Sequence, residues 1–172
     1  MDISIIDASK VSDKDGLIIG QDTAPVKIIE FMNVRCPYCK QWFEEHFEQL
    51  VESVNDGSVQ RIIKLLDKEK ESLQNGNLMH KYINYELPLK GLMDLRQMYA
   101  TQNIWGNRTP EQVREFAQDN LELHEMDNAA VSQKVIEEAA AANIQFVPTV
   151  IVNNHIFDES ISKETLLDYL NE

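Results

Sequence analysis

Two cysteines separated by two residues are the most reactive side chains in this sequence. Cys36 and Cys39 are the only cysteines among its 172 residues. Cysteines at this spacing can form a redox pair, bind a metal ion or lie unreactive in a core. A zinc site would need two more cysteine or histidine ligands, and the four histidines are scattered without paired spacing. The sequence therefore favours a redox pair, with no metal ion.

The residues around the cysteines predict how the pair is positioned. The segment that begins at Val26 is apolar and rich in β-branched residues, which predicts a buried strand. After the pair, apolar residues recur every three or four positions as far as Val54, which predicts one helix with an apolar face. Cys36 then lies at the helix N-terminus. Pro37 occupies the first helical position, where its missing N–H costs nothing.

A helix N-terminus gives the two cysteines different chemistry. Its free N–H groups and its positive dipole end favour an anion, so they stabilise a thiolate at Cys36, and Arg35 adds a nearby positive charge. The thiolate is the nucleophile in disulfide exchange. Cys39 lies one turn further along, where it can resolve a mixed disulfide. Pro37 and Tyr38, between the cysteines, are expected to tune the reduction potential and to contribute to substrate binding.

A second motif lies far along the chain, where residues 146–153 read Phe-Val-Pro-Thr-Val-Ile-Val-Asn. Together with Gly20, Ala24-Pro25-Val26, Glu30-Phe31 and Cys-Pro-Tyr-Cys, it resembles the DsbA family of thiol–disulfide oxidoreductases. Two motifs in this order are more specific than either alone, although they cover roughly half of the chain. The resemblance implies a thioredoxin-like α/β fold with an inserted all-helical subdomain. It implies no cofactor beyond the cysteines themselves.

The resemblance also implies roles for three further residues. Pro148 is expected to follow a cis peptide bond, and the backbone of Val147 to hydrogen-bond an extended substrate segment beside Cys36. Without the resemblance, Pro148 could simply begin a strand. Glu30 lies among apolar strand residues and is expected to be a buried acid that accepts the proton of Cys39. The alternative is a charge satisfied by a neighbouring lysine.

The pattern of elements divides the chain. Val59 to Leu66 predicts a second strand parallel to the first, and a short apolar run at Ile3–Ile6 suggests an edge strand. Strand signals are absent from 67–127 and return at Thr149–Val152, before a last helix capped by Ser162. We therefore predict a discontinuous thioredoxin-like domain, residues 1–66 and 128–172, around a helical insertion at 67–127.

Composition and charge limit the partners. The chain has 16 Lys and Arg against 29 Asp and Glu, a formal net charge of −13, which argues against nucleic acid and anionic membranes. No apolar stretch approaches the length of a membrane span. The N-terminus lacks the pattern of a signal peptide, which predicts a cytoplasmic protein unless a leader has been removed. The expected partners are protein or peptide thiols and disulfides, with a redox-recycling partner.

We therefore predict a thiol–disulfide oxidoreductase that exchanges disulfides with protein or peptide substrates through a mixed disulfide on Cys36. Two alternatives stay open. Cys-Pro-Tyr-Cys also occurs in glutaredoxins, so a glutathione-linked reductase is the nearer one. The other is a non-redox binding module on the same scaffold, because a fold does not fix a function.

Overall fold

A five-stranded mixed sheet lies at the centre of the protein, and its middle strand leads into the cysteine pair. The computed structural model describes residues 1–172. The strands are β1 (Leu17–Ile19), β2 (Val26–Met32), β3 (Val59–Leu65), β4 (Thr149–Val152) and β5 (His155–Phe157). Their order in the sheet is β1-β3-β2-β4-β5. Strand β2 pairs in parallel with β3 and antiparallel with β4, so it is flanked on both sides.

Eight α-helices surround the sheet. They are α1 (Pro37–Glu45), α2 (Phe47–Asn55), α3 (Gln74–His80), α4 (Pro88–Ala100), α5 (Gln102–Trp105), α6 (Pro110–Glu115), α7 (Ala129–Ala141) and α8 (Lys163–Leu170). The chain between β3 and α7 contains helices and no strand, including a π-helical turn at Phe116–Asn120. The predicted thioredoxin-like α/β fold with a helical insertion is therefore confirmed. None of the helices combines the length and the apolar character required to cross a bilayer.

The two faces of the sheet bury separate apolar clusters. Side chains alternate along β2, so Ile28 and Met32 join a large cluster that also contains residues of α1, α2, α8 and the insertion. Phe31 points to the opposite face and joins a smaller cluster with Val135 and Ala139 of α7. Because the large cluster runs without a break from sheet to insertion, the insertion packs as part of one core. The division into two domains stays a prediction.

The active-site helix is broken, contrary to the single helix predicted from the apolar spacing. Helix α1 ends and α2 begins at His46, whose backbone leaves the helical region at φ −108° and ψ 9°. The His46 ring is buried and lies 4.5 Å from the ring of Trp42. The three- and four-residue spacing of the apolar residues continues across the break, so this spacing alone could not predict it.

The N-terminal prediction was also wrong. Ile3–Ile5 forms a 3₁₀ turn rather than a strand, because the Asp2 carboxylate accepts a hydrogen bond from the Ser4 N–H and caps it. The edge strand is instead Leu17–Ile19, which pairs antiparallel with β3. The predicted cap of the last helix is confirmed, since the Ser162 hydroxyl accepts from the Thr165 N–H.

Candidate redox site

Cys36 lies where β2 passes through a short loop into α1. It is the N-cap of α1 and is only 6% exposed, with Pro37 at the first helical position as predicted. Hydrogen bonds from the Cys39 thiol and from the backbone N–H groups of Cys39 and Tyr38 lower the pKa of Cys36 to about 6, although burial and the charge of Glu159 act in the opposite direction. Cys36 is therefore largely a thiolate at neutral pH.

Cys39 has the opposite character. It is fully buried inside α1, and this burial, together with the neighbouring Cys36, raises its pKa well above the ordinary value. Its sulfur accepts a hydrogen bond from the Asn33 N–H at 3.4 Å. Of two identical side chains one turn apart, Cys36 is fit to be the nucleophile and Cys39 must be deprotonated before it reacts. No group of three or more His, Cys, Asp or Glu side chains is placed to bind a metal ion.

The loop before β4 lies against Cys36, as the second motif implied. The Val147–Pro148 peptide bond is cis. The Cys36 sulfur lies 3.5 Å from the Val147 carbonyl oxygen, to which the thiol donates when it is protonated. The Thr149 hydroxyl donates to the Phe146 carbonyl at 2.6 Å and ties the start of β4 to this loop. The two distant motifs therefore meet at one place, and their predicted contact with substrate stays a prediction.

Glu30 is buried, as predicted, but its partner is neither Cys39 nor a lysine. Its two oxygens accept hydrogen bonds from Arg61 at 2.7 and 2.9 Å. The Trp42 indole N–H donates a third at 2.7 Å. Arg61 is itself buried on β3. The carboxylate thus forms a buried ion pair between β2 and β3, and the Trp42 hydrogen bond links it to α1. No hydrogen bond joins it to Cys39, and its expected role as proton acceptor stays a prediction.

Side chains from the insertion hold the backbone of the loop that precedes Cys36, and sequence reasoning missed them. The Gln102 amide donates to the carbonyl oxygens of Val34 at 2.8 Å and Cys36 at 3.2 Å. His80 Nε2 accepts from the Val34 N–H at 3.1 Å, while its Nδ1 faces an Asp67 carboxylate oxygen at 2.7 Å. Gln102 and His80 are both buried. A polar residue on an apolar helical face is the sequence signal that would have found them.

The fold and the site together define a thioredoxin-like protein with a Cys-x-x-Cys pair. The thioredoxin family model matches residues 12–172. The chain therefore belongs to the thioredoxin family. No protein with curated annotation matches it.

Solved structures support the same assignment. A conserved protein of unknown function from Enterococcus faecalis V583 is 56% identical, with a TM-score of 0.99 over 100% of this chain and 98% of that one. BdbD from Bacillus subtilis is 20% identical, with a TM-score of 0.67 over 94% and 96% of the two chains. The thiol-disulfide exchange protein α-DsbA2 from Wolbachia pipientis is 17% identical, with a TM-score of 0.65 over 90% and 84%. The resemblance to the DsbA family is thus confirmed at the level of the fold.

Proposed function

We propose that this protein is a thiol–disulfide oxidoreductase that acts on protein or peptide substrates through a mixed disulfide on Cys36. The observation that carries the proposal is the asymmetry within one pair. Cys36 is ionised at neutral pH at a helix N-terminus, whereas Cys39 is neutral and enclosed. An acidified attacking thiol beside a buried resolving thiol is the arrangement that disulfide exchange requires.

The exchange has two steps. The Cys36 thiolate attacks one sulfur of a substrate disulfide, so a Cys36–substrate bond forms, the substrate S–S bond breaks and one substrate thiolate leaves. Cys39 then loses its proton and attacks the Cys36 sulfur, which releases the second substrate thiolate and leaves a Cys36–Cys39 disulfide. Two electrons have passed to the substrate. The reverse steps oxidise a substrate dithiol, and the reduction potential against the compartment sets the direction.

The loop at Val147 and Pro148 is proposed to bind the substrate chain beside Cys36. The Val147 carbonyl oxygen is 3.5 Å from the Cys36 sulfur, so a chain hydrogen-bonded to that loop would carry its cysteine next to the thiolate. Tyr38 is 59% exposed next to the nucleophile and offers a ring for the same segment. Pro37 fixes the first turn of α1 beneath it.

Cysteine variants test the proposal. Cys36→Ser should abolish turnover of a peptide disulfide, and Cys39→Ser should accumulate a mixed disulfide that mass spectrometry detects on Cys36 alone. A Cys36→Ser protein with undiminished activity would overturn the redox mechanism on Cys36 and the proposed function with it. Equilibration with glutathione buffers gives the direction, since about −120 mV marks a strong oxidant and about −270 mV a reductant.

The proposed proton transfer to Glu30 has its own test. Glu30→Gln should leave formation of the mixed disulfide on Cys36 at the wild-type rate and should slow its resolution by Cys39, measured by stopped-flow after a single addition of substrate. Equal slowing of both steps would show that Glu30 acts only through its ion pair with Arg61.

The cytoplasmic location and the recycling partner also stay proposals. Cell fractionation tests the location, and trapping of mixed disulfides on Cys39→Ser tests the partner.

A further inference from the structure

A groove of about 410 Å³ opens beside the nucleophile. Its walls are the turn around Cys36, the chain that follows β3, and the loop before Pro148. Two aromatic side chains at the groove are unusually open to solvent, Tyr38 at 59% and Phe146 at 48%. Cys36 is part of the lining, so a substrate segment that reaches this cysteine would contact the groove.

The charge of the lining is opposite to the charge of the protein. Arg35, Lys68 and Lys70 line the groove and no Asp or Glu does, although acidic residues outnumber basic ones 29 to 16 in the chain. The acid whose charge reaches Cys36 is Glu159, which is not part of the lining. The groove is therefore a local cationic site on an acidic molecule.

These three cations lack acidic partners. None of them belongs to the ion pairs of the protein. Arg35 donates to neutral oxygens of Gly106 and Asn107, and Lys68 donates to the Gln145 carbonyl at 2.7 Å. Burial and then the charge of Lys70 lower the pKa of Lys68, so the two lysines repel each other.

We propose that the groove selects peptide segments that carry Asp or Glu next to the reacting cysteine. This inference rests on the proposed function and names its substrate class. Carboxylates flanking the substrate sulfur would meet the three unpaired cations, and lysines in the same places would be repelled. The net negative charge of the protein does not prevent this, because salt screens charges beyond about 8 Å at physiological ionic strength. The exposed rings of Tyr38 and Phe146 could also pack against the side chains of a bound peptide.

Matched peptides test the inference. Three peptide disulfides, identical except for Glu, Gln or Lys beside the cysteines, are mixed with Cys39→Ser, and mixed-disulfide formation on Cys36 is timed by mass spectrometry. We expect the Glu peptide to react about fivefold faster than the Lys peptide at an ionic strength of about 0.15 M, the size that a few exposed charge pairs supply. The ratio should approach one in about 0.5 M salt.

Two charge-reversal variants locate the effect. Lys70→Glu removes an exposed groove cation and should bring the Glu-to-Lys ratio to about one or below. Lys81→Glu makes the same change at an exposed lysine outside the groove and should leave the ratio unaltered. Wild-type protein in a single turnover, with acid quenching, serves as a second background should Cys39→Ser fold poorly.

Other outcomes of these experiments would contradict either the inference or the proposed function. Equal rates for the three peptides, or equal effects of Lys70→Glu and Lys81→Glu, would overturn the inference and leave the proposed function intact. Glutathione disulfide reacting faster than the Glu peptide would assign the cations to a small anionic disulfide instead. Failure of every disulfide to react on Cys36 would overturn the proposed function, and the inference with it.

Discussion

At the scale of the residue, the chemistry of the site comes from the different surroundings of two identical side chains. Cys36 is the N-cap of α1 and receives hydrogen bonds from the residues that follow it, whereas Cys39 is enclosed by the core. The position of Cys36 followed from the sequence, since Pro37 marks the first helical residue. The enclosure of Cys39 depends on packing against residues that are distant in the chain, which the sequence does not place.

The ionisation of Cys36 gives the first prediction. Alkylation of the reduced protein by iodoacetamide should rise with pH around a midpoint of about 6 and reach a plateau near neutrality, because the thiolate is the reactive form and its pKa is lowered to about 6. Only Cys36 should be modified, since Cys39 is buried and its pKa is raised. The rate and the modified site are measured by mass spectrometry.

Cys36→Ser is the control for that profile. It should lose the fast alkylation entirely, which would show that no other group produces the transition near pH 6. A wild-type midpoint close to that of an unstructured cysteine, about 8.5, would contradict the thiolate at the helix N-terminus, and with it the proposed function.

Glu30 illustrates what residue-level reasoning could and could not reach. A charged residue among apolar strand neighbours was correctly predicted to be buried. Its partner Arg61 lies 31 positions later on β3, and their meeting depends on the parallel register that places Glu30 opposite Ile63 and Ile28 opposite Arg61. Removing one partner of such a pair lowers the free energy of unfolding by about 3–5 kcal/mol, because the other charge is left buried without a partner. The proton-transfer test on Glu30→Gln must therefore be accompanied by a stability measurement.

At the scale of the element, the insertion positions the loop between β2 and α1. The loop has no regular partner for its backbone, and buried backbone groups must be hydrogen-bonded. Gln102 of α5 and His80 of α3 supply those partners. The helical insertion is therefore part of the architecture that holds Cys36, in addition to any contact it makes with substrate.

Gln102→Leu gives the second prediction. The substitution retains the approximate size of the side chain but leaves the Val34 carbonyl without its donor, so we expect a loss of about 1–3 kcal/mol in the free energy of unfolding. The position of Cys36 as N-cap should also relax, and its alkylation midpoint should move up from about 6. Urea unfolding and the alkylation profile measure the two effects.

Gln97→Leu is the matched control, because Gln97 is an exposed residue of α4. It should alter neither the free energy of unfolding nor the alkylation midpoint by a comparable amount. A Gln102→Leu protein that is destabilised but keeps the wild-type midpoint would show that the amide supports the fold without positioning the nucleophile.

The elements themselves could be predicted where local rules determine them. The cap at Ser162, with its side chain accepting from the Thr165 N–H, follows from a local rule and was confirmed. The break at His46 was not predictable from spacing, since no glycine or proline marks it and the apolar phase continues. The short strand at Leu17–Ile19 exists because it pairs with β3, which is a tertiary condition. Local signals thus predicted a capped helix start, whereas the helix break and the edge strand depend on tertiary packing.

At the scale of the whole molecule, the net charge does not describe the charge of the groove around Cys36. A formal charge of −13 argued against nucleic acid and anionic membranes as partners. The groove at Cys36 nevertheless collects Arg35, Lys68 and Lys70 without an acid. The net charge sums all the charges of the protein, whereas a substrate interacts mainly with the few charged side chains within a screening length. The loops that bring these cations together are separated along the chain, so their assembly could not be predicted from composition.

The redox pair also links the stability of the whole protein to pH, which gives the third prediction. In the reduced protein the pKa of Cys36 is lowered to about 6, below that of the same group in the unfolded chain. Cys36 therefore adds no stability when both states are protonated below pH 6. Above pH 6 the folded state ionises before the unfolded state does, so the contribution of Cys36 to the free energy of unfolding grows with pH. As the pH falls through about 6, this contribution disappears. The oxidised protein has no thiol to titrate.

The free energy of unfolding of the reduced form, minus that of the oxidised form, should therefore increase by about 2 kcal/mol between pH 6 and pH 8. The difference between forms is the quantity to measure, because a disulfide across so short a loop adds a nearly pH-independent stabilisation of about 2 kcal/mol to the oxidised form. Urea unfolding of both forms across this range, with reductant present for the dithiol form, gives the slope. Cys36→Ser should show no such increase over its own pH series. A difference that stays constant or falls with pH would mean that folding does not stabilise the Cys36 thiolate, and the asymmetry from which the proposed function is derived would be absent.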